Sequence, residues 1–100
     1  MRTVMVRYKT KEGQAATNEA LIHAVFDELR SREPGGLNYA SYRLADGATF
    51  VHIAMLDGTG ENPLTSLPAF KAFQSGIKER CSEEPVVTEL ARVDSYGFGR

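Results

Sequence analysis

Asp46-Gly47 separates two stretches of alternating side chains, Leu37 to Ala45 and Thr49 to Asp57, and it constrains the fold more than any other feature of the chain. Aspartate and glycine accept the positive φ of tight turns, so the two stretches predict antiparallel neighbours joined by a two-residue loop. Ala45 then pairs with Ala48, and residues directly opposite share a face of the sheet. One face collects Asn38, Ala40, Tyr42 and Leu44 with Thr49, Val51, Ile53 and Met55. It is mostly apolar and is expected beneath helices. The other sets Leu37 with Leu56, Tyr39 with Ala54, Ser41 with His52, and Arg43 with Phe50. That second face is too apolar for water and too polar for an ordinary core. A loop one residue longer would exchange the faces of one strand.

The rest of the chain arranges itself around this hairpin. Thr3 to Lys9 alternates and suits a strand, with Val4 and Val6 toward the helices and Thr3, Met5 and Arg7 on the second face. From Gln14 to about Arg32 there is no glycine or proline, and Leu21, Ile22, Val25, Phe26 and Leu29 form one helical stripe. Asn18, Glu19, His23, Asp27 and Arg30 fall largely off it. Pro34-Gly35-Gly36 stops that helix. After a polar loop at Gly58 to Pro63, Ser66 is expected to cap a second helix, with Pro68 in its first turn. This helix is expected to reach about Cys81, with Phe70, Phe73, Ile77 and Cys81 on one side. Glu83-Glu84-Pro85 closes it, Val86 to Tyr96 reads as the last strand, and Gly97 to Arg100 as a tail. The order β-α-β-β-α-β predicts an α+β, ferredoxin-like antiparallel sheet with both helices on one face. Residues 1–100 are read as a single domain. A small sheet covered on one side needs a second cover, and another copy of the chain is the expected one, giving a homodimer.

Charge and composition exclude several classes. The formal net charge is −1 with scattered basic residues, so no nucleic-acid or anionic-membrane partner is expected. A lone cysteine, Cys81, allows no disulfide within the chain and fits a reducing cytoplasm. The charged amino terminus lacks the apolar run of a leader, and nothing approaches the ~20 apolar residues of a membrane span. Only His23 and His52 are present, without paired cysteines or clustered carboxylates, so no metal is expected. His23 with Asp27 one turn later reads as a solvated helix pair. No phosphate-binding glycine loop is found.

Four residues remain as a candidate site. His52, opposite Ser41, is the candidate catalytic base or orienter, because imidazole titrates near neutrality. A structural histidine is the plainer alternative. Arg7 and Arg43 on the same face would bind a carboxylate or ionised phenol, or else form interface salt bridges. Tyr39 would offer a hydrogen bond and a stacking ring, or else pack an interface. Cys81, at the expected C-terminal end of a helix, is in a poor position to be a thiolate. A Ser41–His52 hydrolase lacks a third residue and an oxyanion loop.

Val6-Arg7-Tyr8-Lys9 leading through Glu12-Gly13 into a long helix, Pro34-Gly35-Gly36-Leu37, and Asp46 through His52 resemble the antibiotic-biosynthesis-monooxygenase-like group of the dimeric α/β barrel superfamily. Leu67 to Phe73 and Ser95-Tyr96-Gly97-Phe98 are similar as well. The resemblance implies a dimeric α/β barrel and a reaction in which an electron-rich phenol or quinol activates dioxygen with no cofactor. It also admits members without known activity, so a stress-related or ligand-binding barrel stands as the alternative. The chain departs from the pattern in having no tryptophan and no histidine on its second helix, where haem-degrading relatives place their iron ligand. Haem is therefore not expected.

Overall fold

The computed structural model describes residues 2–58 and 62–97. Its strands are β1 (Arg2–Thr10), β2 (Leu37–Arg43), β3 (Thr49–Leu56) and β4 (Cys81–Leu90). Helix α1 (Ala15–Arg32) follows β1; a 3-10 turn (Pro63–Ser66), α2 (Pro68–Ser75) and the single turn α3 (Ile77–Arg80) lie between β3 and β4. The strands form one antiparallel sheet in the order β2-β3-β1-β4, the ferredoxin-like arrangement.

The hairpin register is the expected one, with Ser41 opposite His52 and Arg43 opposite Phe50. Its loop is longer, however. Leu44 N–H donates to Thr49 O at 2.8 Å, and Gly47 N–H to Leu44 O at 2.9 Å, with Gly47 at φ +76°. The Asp46 carboxylate accepts from Thr49 Oγ1 (2.6 Å) and from the N–H groups of Ala48 (2.9 Å) and Thr49 (2.8 Å). These bonds lower its pKa to about 2. Growth of the loop by one residue on each strand's side leaves the pairing unchanged, so the register survives.

The faces are the reverse of the expectation for this hairpin. Helices α1 and α2 cover the side bearing Phe50, His52, Ala54 and Tyr39, while Val51, Ile53 and Tyr42 lie on the open side. On β1 the expectation holds: Val6 pairs with His52 and Val4 with Ala54, so both face the helices, and Tyr8 joins them opposite Phe50. The hairpin set beneath the helices is the less apolar one, because it is the set that lies beside Val4, Val6 and Tyr8 of β1. The core is built from Ile22 and Val25 of α1, Leu64, Leu67 and Phe73 packed on Tyr8 and Phe50. Leu21 and Phe70 pack at its edge.

The second helical region differs as well. Asn62, not Ser66, caps the 3-10 turn by accepting from Leu64 N–H, and Leu67 holds the N-cap position of α2 without a side-chain bond. Pro68 sits in the first turn as expected. The helix breaks at Gly76, where a Cβ would lie 3.2 Å from Arg80 Nη1. Cys81 consequently opens β4 rather than closing a helix; it is buried, and burial raises its thiol pKa. Pro85 falls within the strand, at the register shift opposite β1 between Arg7 and Lys9. A missing ladder N–H is tolerated at such an irregularity. The strand ends at Leu90 instead of Tyr96. Of the expected polar loop and tail, residues 59–61 and 98–100 lie outside the described residues.

Candidate functional site

Helix α2 spans only two turns, and α1 lies over the β2–β3 half of the sheet. A cavity of about 460 Å³ is left between the covered sheet face and α2. This volume lies in the usual range for small-molecule sites, roughly 300–1,000 Å³. Val4 and Val6 of β1, Ala54 and Leu56 of β3, and Val87 of β4 form the sheet wall. Leu64, Phe70, Phe73 and Ile77 form the opposite wall, and Arg2, Asn62, Gln74 and Glu89 are the polar residues on the lining. Tyr8, Tyr39 and His52 are the remaining hydrogen-bonding side chains there.

Those three are held in one chain of contacts. His52, only 4% exposed, places Nε2 2.7 Å from Tyr8 Oη. Its Nδ1 lies 2.7 Å from Ser41 Oγ and 2.9 Å from Tyr39 Oη. A neutral imidazole has one N–H and one acceptor nitrogen, so it can link the two phenols in either direction. Rings fix its plane: Tyr8 stacks on it at 5.3 Å and 20°, Tyr39 at 5.9 Å and 25°, and Phe73 meets it tilted at 5.5 Å. Phe26 in turn stacks on Tyr39 at 5.1 Å.

The chain continues away from the histidine. Asn18, fully buried on α1, donates from Nδ2 to Tyr8 Oη at 2.8 Å. Asn18 Oδ1 accepts from Arg80 Nε at 3.1 Å, and Arg80 Nη2 donates to Phe73 O at 2.8 Å. Every buried polar side-chain atom among the described residues has a partner. A polar network inside a core is favourable only when satisfied in this way.

Burial keeps the imidazole and the two phenols uncharged. Desolvation lowers the His52 pKa to about 4, raises Tyr39 to about 12, and raises Tyr8 further. The imidazole is thus an uncharged hydrogen-bonding group at neutral pH and a weak base. Among the described residues no group of three metal-ligating side chains occurs, and no helix is long and apolar enough to cross a membrane.

The four residues singled out in the sequence do not come together as one set. Tyr39 and His52 line the cavity. Arg43 stands at the hairpin end outside it, donating to Glu19 Oε2 at 3.0 Å and to Gly47 O at 2.9 Å, with its guanidinium 5.8 Å from the Phe50 ring. Arg7 pairs with Val51 on the opposite sheet face, because β1 alternates and Tyr8 takes the covered side. Neither arginine can act on a ligand in the cavity. His23 is exposed, and Asp27 pairs with Arg30 at 3.4 Å instead of with it. Tyr8, Asn18 and Arg80 escaped the sequence reading. Alternation from Val4 and Val6 points to Tyr8; Asn18, expected off the apolar stripe, is instead buried on it one turn before Ile22, because Tyr8 and Arg80 satisfy its amide. Nothing in the sequence marks Arg80.

The family model for antibiotic biosynthesis monooxygenase matches residues 1–55. Among solved structures, Rv0793 from Mycobacterium tuberculosis is similar with TM-score 0.75 and 21% identity, over 94% of this chain and 96% of that one. PA3566 from Pseudomonas aeruginosa gives 0.75 and 18%, over 93% and 94%. A crystallised antibiotic biosynthesis monooxygenase gives 0.71 and 18%, over 94% and 100%. Identities this low speak for the fold alone. No curated protein matches the chain. With more than half its length matched, the chain belongs to the antibiotic biosynthesis monooxygenase family.

Proposed function

We propose that this chain is a cofactor-independent monooxygenase acting on a small aromatic, phenolic or quinone-type molecule. The observation that carries the reading is the cavity itself: apolar and aromatic walls, two phenols and a neutral imidazole, with Arg2, Asn62, Gln74 and Glu89 as the other polar groups on its lining. Such a lining suits a flat, uncharged ring system with one or two oxygens. An electron-rich substrate reduces dioxygen itself, and the protein's part is to hold it dry and oriented. His52 serves as orienter of Tyr8 and Tyr39, since its depressed pKa leaves little basicity. The open sheet face, with Met5, Ala40, Tyr42, Val51 and Ile53, is covered by a second copy, making a homodimeric α/β barrel.

Oxygen uptake by the purified protein, with a panel of quinols and polycyclic phenols and no added cofactor, tests the reading. Substrate-dependent uptake is the expected result. The weak basicity of His52 favours the second reading, a binding protein without catalysis. Saturable binding of the same compounds with no oxygen uptake would establish that one instead.

A further inference from the structure

Arg80 is a buried cation with no acid. It is 8% exposed, and among the described residues no carboxylate lies within ion-pair distance of its guanidinium. A buried charge without a counter-charge is costly, so structures keep few of them. The fold makes room for this one: Gly76 breaks the helix where a side chain would crowd Nη1, and the guanidinium rests 5.2 Å from the Phe73 ring. The bond from Nη2 to Phe73 O at 2.8 Å holds the side chain to α2.

A second directed contact leads toward Tyr8. Arg80 Nε bonds Asn18 Oδ1, and Asn18 Nδ2 bonds Tyr8 Oη. Hydrogen bonds in series polarise one another, most of all when one end is a full charge in a low-dielectric interior. The geometry points to Arg80 and Asn18 as positioning residues that make the Tyr8 hydroxyl a polarised donor to a ligand oxygen. The ligand class is an aromatic carbonyl or phenol whose oxygen gains negative charge as the ring is oxidised. This rests on the proposed monooxygenase reading for the identity of the ligand, though not for the polarisation of Tyr8.

Proton bookkeeping agrees. When His52 carries its proton on Nε2, Nδ1 accepts from Ser41 or Tyr39, and Tyr8 Oη accepts from both Asn18 and His52. Both acceptor sites of the phenol are then filled and its own proton is left for a further acceptor; Tyr8, 1% exposed, is one of the residues lining the cavity. Burial dominates and raises the Tyr8 pKa; the Asn18 bond opposes it, Tyr39 and Cys81 add to it, and Arg80 opposes it with the smallest effect of the five. Donors fixed where negative charge develops are the usual means of stabilising an oxyanion.

The test compares two variants of similar length that differ in charge, Arg80→Lys and Arg80→Met, in the full chain. The ligand probe is unsubstituted para-naphthoquinone, read by its infrared carbonyl band. In the wild type the bound band should move to lower frequency than in an apolar solvent. Tyr8→Phe should abolish that shift and weaken binding roughly tenfold, the scale of one lost hydrogen bond. Arg80→Met should reduce the shift and Arg80→Lys should preserve most of it. If Arg80→Met does not fold, Asn18→Leu cuts the same chain while leaving the guanidinium. A band equal in the wild type and the charge-removing variant, but changed by Tyr8→Phe, would overturn the relay and leave Tyr8 an ordinary donor.

A second readout separates failure of the ligand from failure of the relay. With ortho-fluorotyrosine in place of Tyr8, the fluorine resonance of the ligand-free protein should shift in Arg80→Met and return toward wild type in Arg80→Lys. No binding of naphthoquinone together with that pattern refutes the quinone-type ligand and retains the polarised phenol. A resonance alike in both variants refutes the relay.

Discussion

The two faces of the sheet differ in how their polar groups are held. The face under the helices carries His52, Ser41, Tyr39 and Tyr8 beside Phe50, whereas the open face carries Met5, Val51, Ile53 and Tyr42, the last 52% exposed. Covering a polar face requires that every group find a partner, and the chain from Ser41 through His52 and Tyr8 to Arg80 supplies them. The open face has no such network and its apolar groups suit contact with another sheet. The helices thus cover the face whose polar groups need precise arrangement.

The strongest blow to this contrast falls on Phe73, which is 5% exposed and meets the rings of both Tyr8 and His52. Phe73→Ala should cost about 3–5 kcal/mol in urea unfolding. A loss below about 1 kcal/mol would mean that α2 does not hold the covered face together.

On the open face, Ile53→Asp should leave the chain folded and weaken dimerisation by about 100-fold or more, ~3 kcal/mol, because it buries an unpaired carboxylate between two sheets. Sedimentation equilibrium across a concentration series reads this directly. A wild-type chain that stays monomeric at micromolar concentration would break the comparison, since the apolar face would then stand in water.

On the covered face, acid acts through His52. The unfolded chain protonates His52 near its ordinary pKa of 6.5, while the folded chain holds it at about 4. The unfolded state thus binds the extra proton, and stability falls as pH drops through that window. From about pH 7 to about pH 5 the loss should be about 2 kcal/mol, and His52→Gln should remove it. Equal pH slopes in the two proteins would show that the imidazole is not held neutral by burial.

The smallest effect sharpens the boundary of the site. Arg43→Ala removes a half-exposed bridge to Glu19 and should change stability by less than about 0.5 kcal/mol, with ligand affinity unaltered. An affinity loss of several-fold in ligand titration would bring Arg43 back into the site.

Much of this was legible in the chain. Periodicity and turn chemistry placed α1, the hairpin and the strand order, and Asp46-Gly47 brought Ser41 opposite His52 even though the loop is longer than its two residues. The site was half legible. His52 and Tyr39 are legible from the hairpin register, which sets both beside Ser41 on one face, whereas Arg7 alternates to the opposite face and Arg43, on the same face as His52, stands at the hairpin end outside the cavity. The apolar residues of α2 keep their helical spacing across Gly76, so the periodicity alone does not show the break there.

What the sequence by itself determined is local and periodic: which segments are strands and helices, where they turn, and which side chains of one hairpin share a face. These follow from backbone preferences and from repeats of two and 3.6 residues, which act over short separations. Tertiary structure decided which of two plausible faces lies under the helices, and it joined Tyr8, Asn18 and Arg80 into one network. Asn18 and Arg80 stand 62 residues apart in the chain. A buried polar group is acceptable only beside its partner, and that partner is supplied by packing, which no local pattern records.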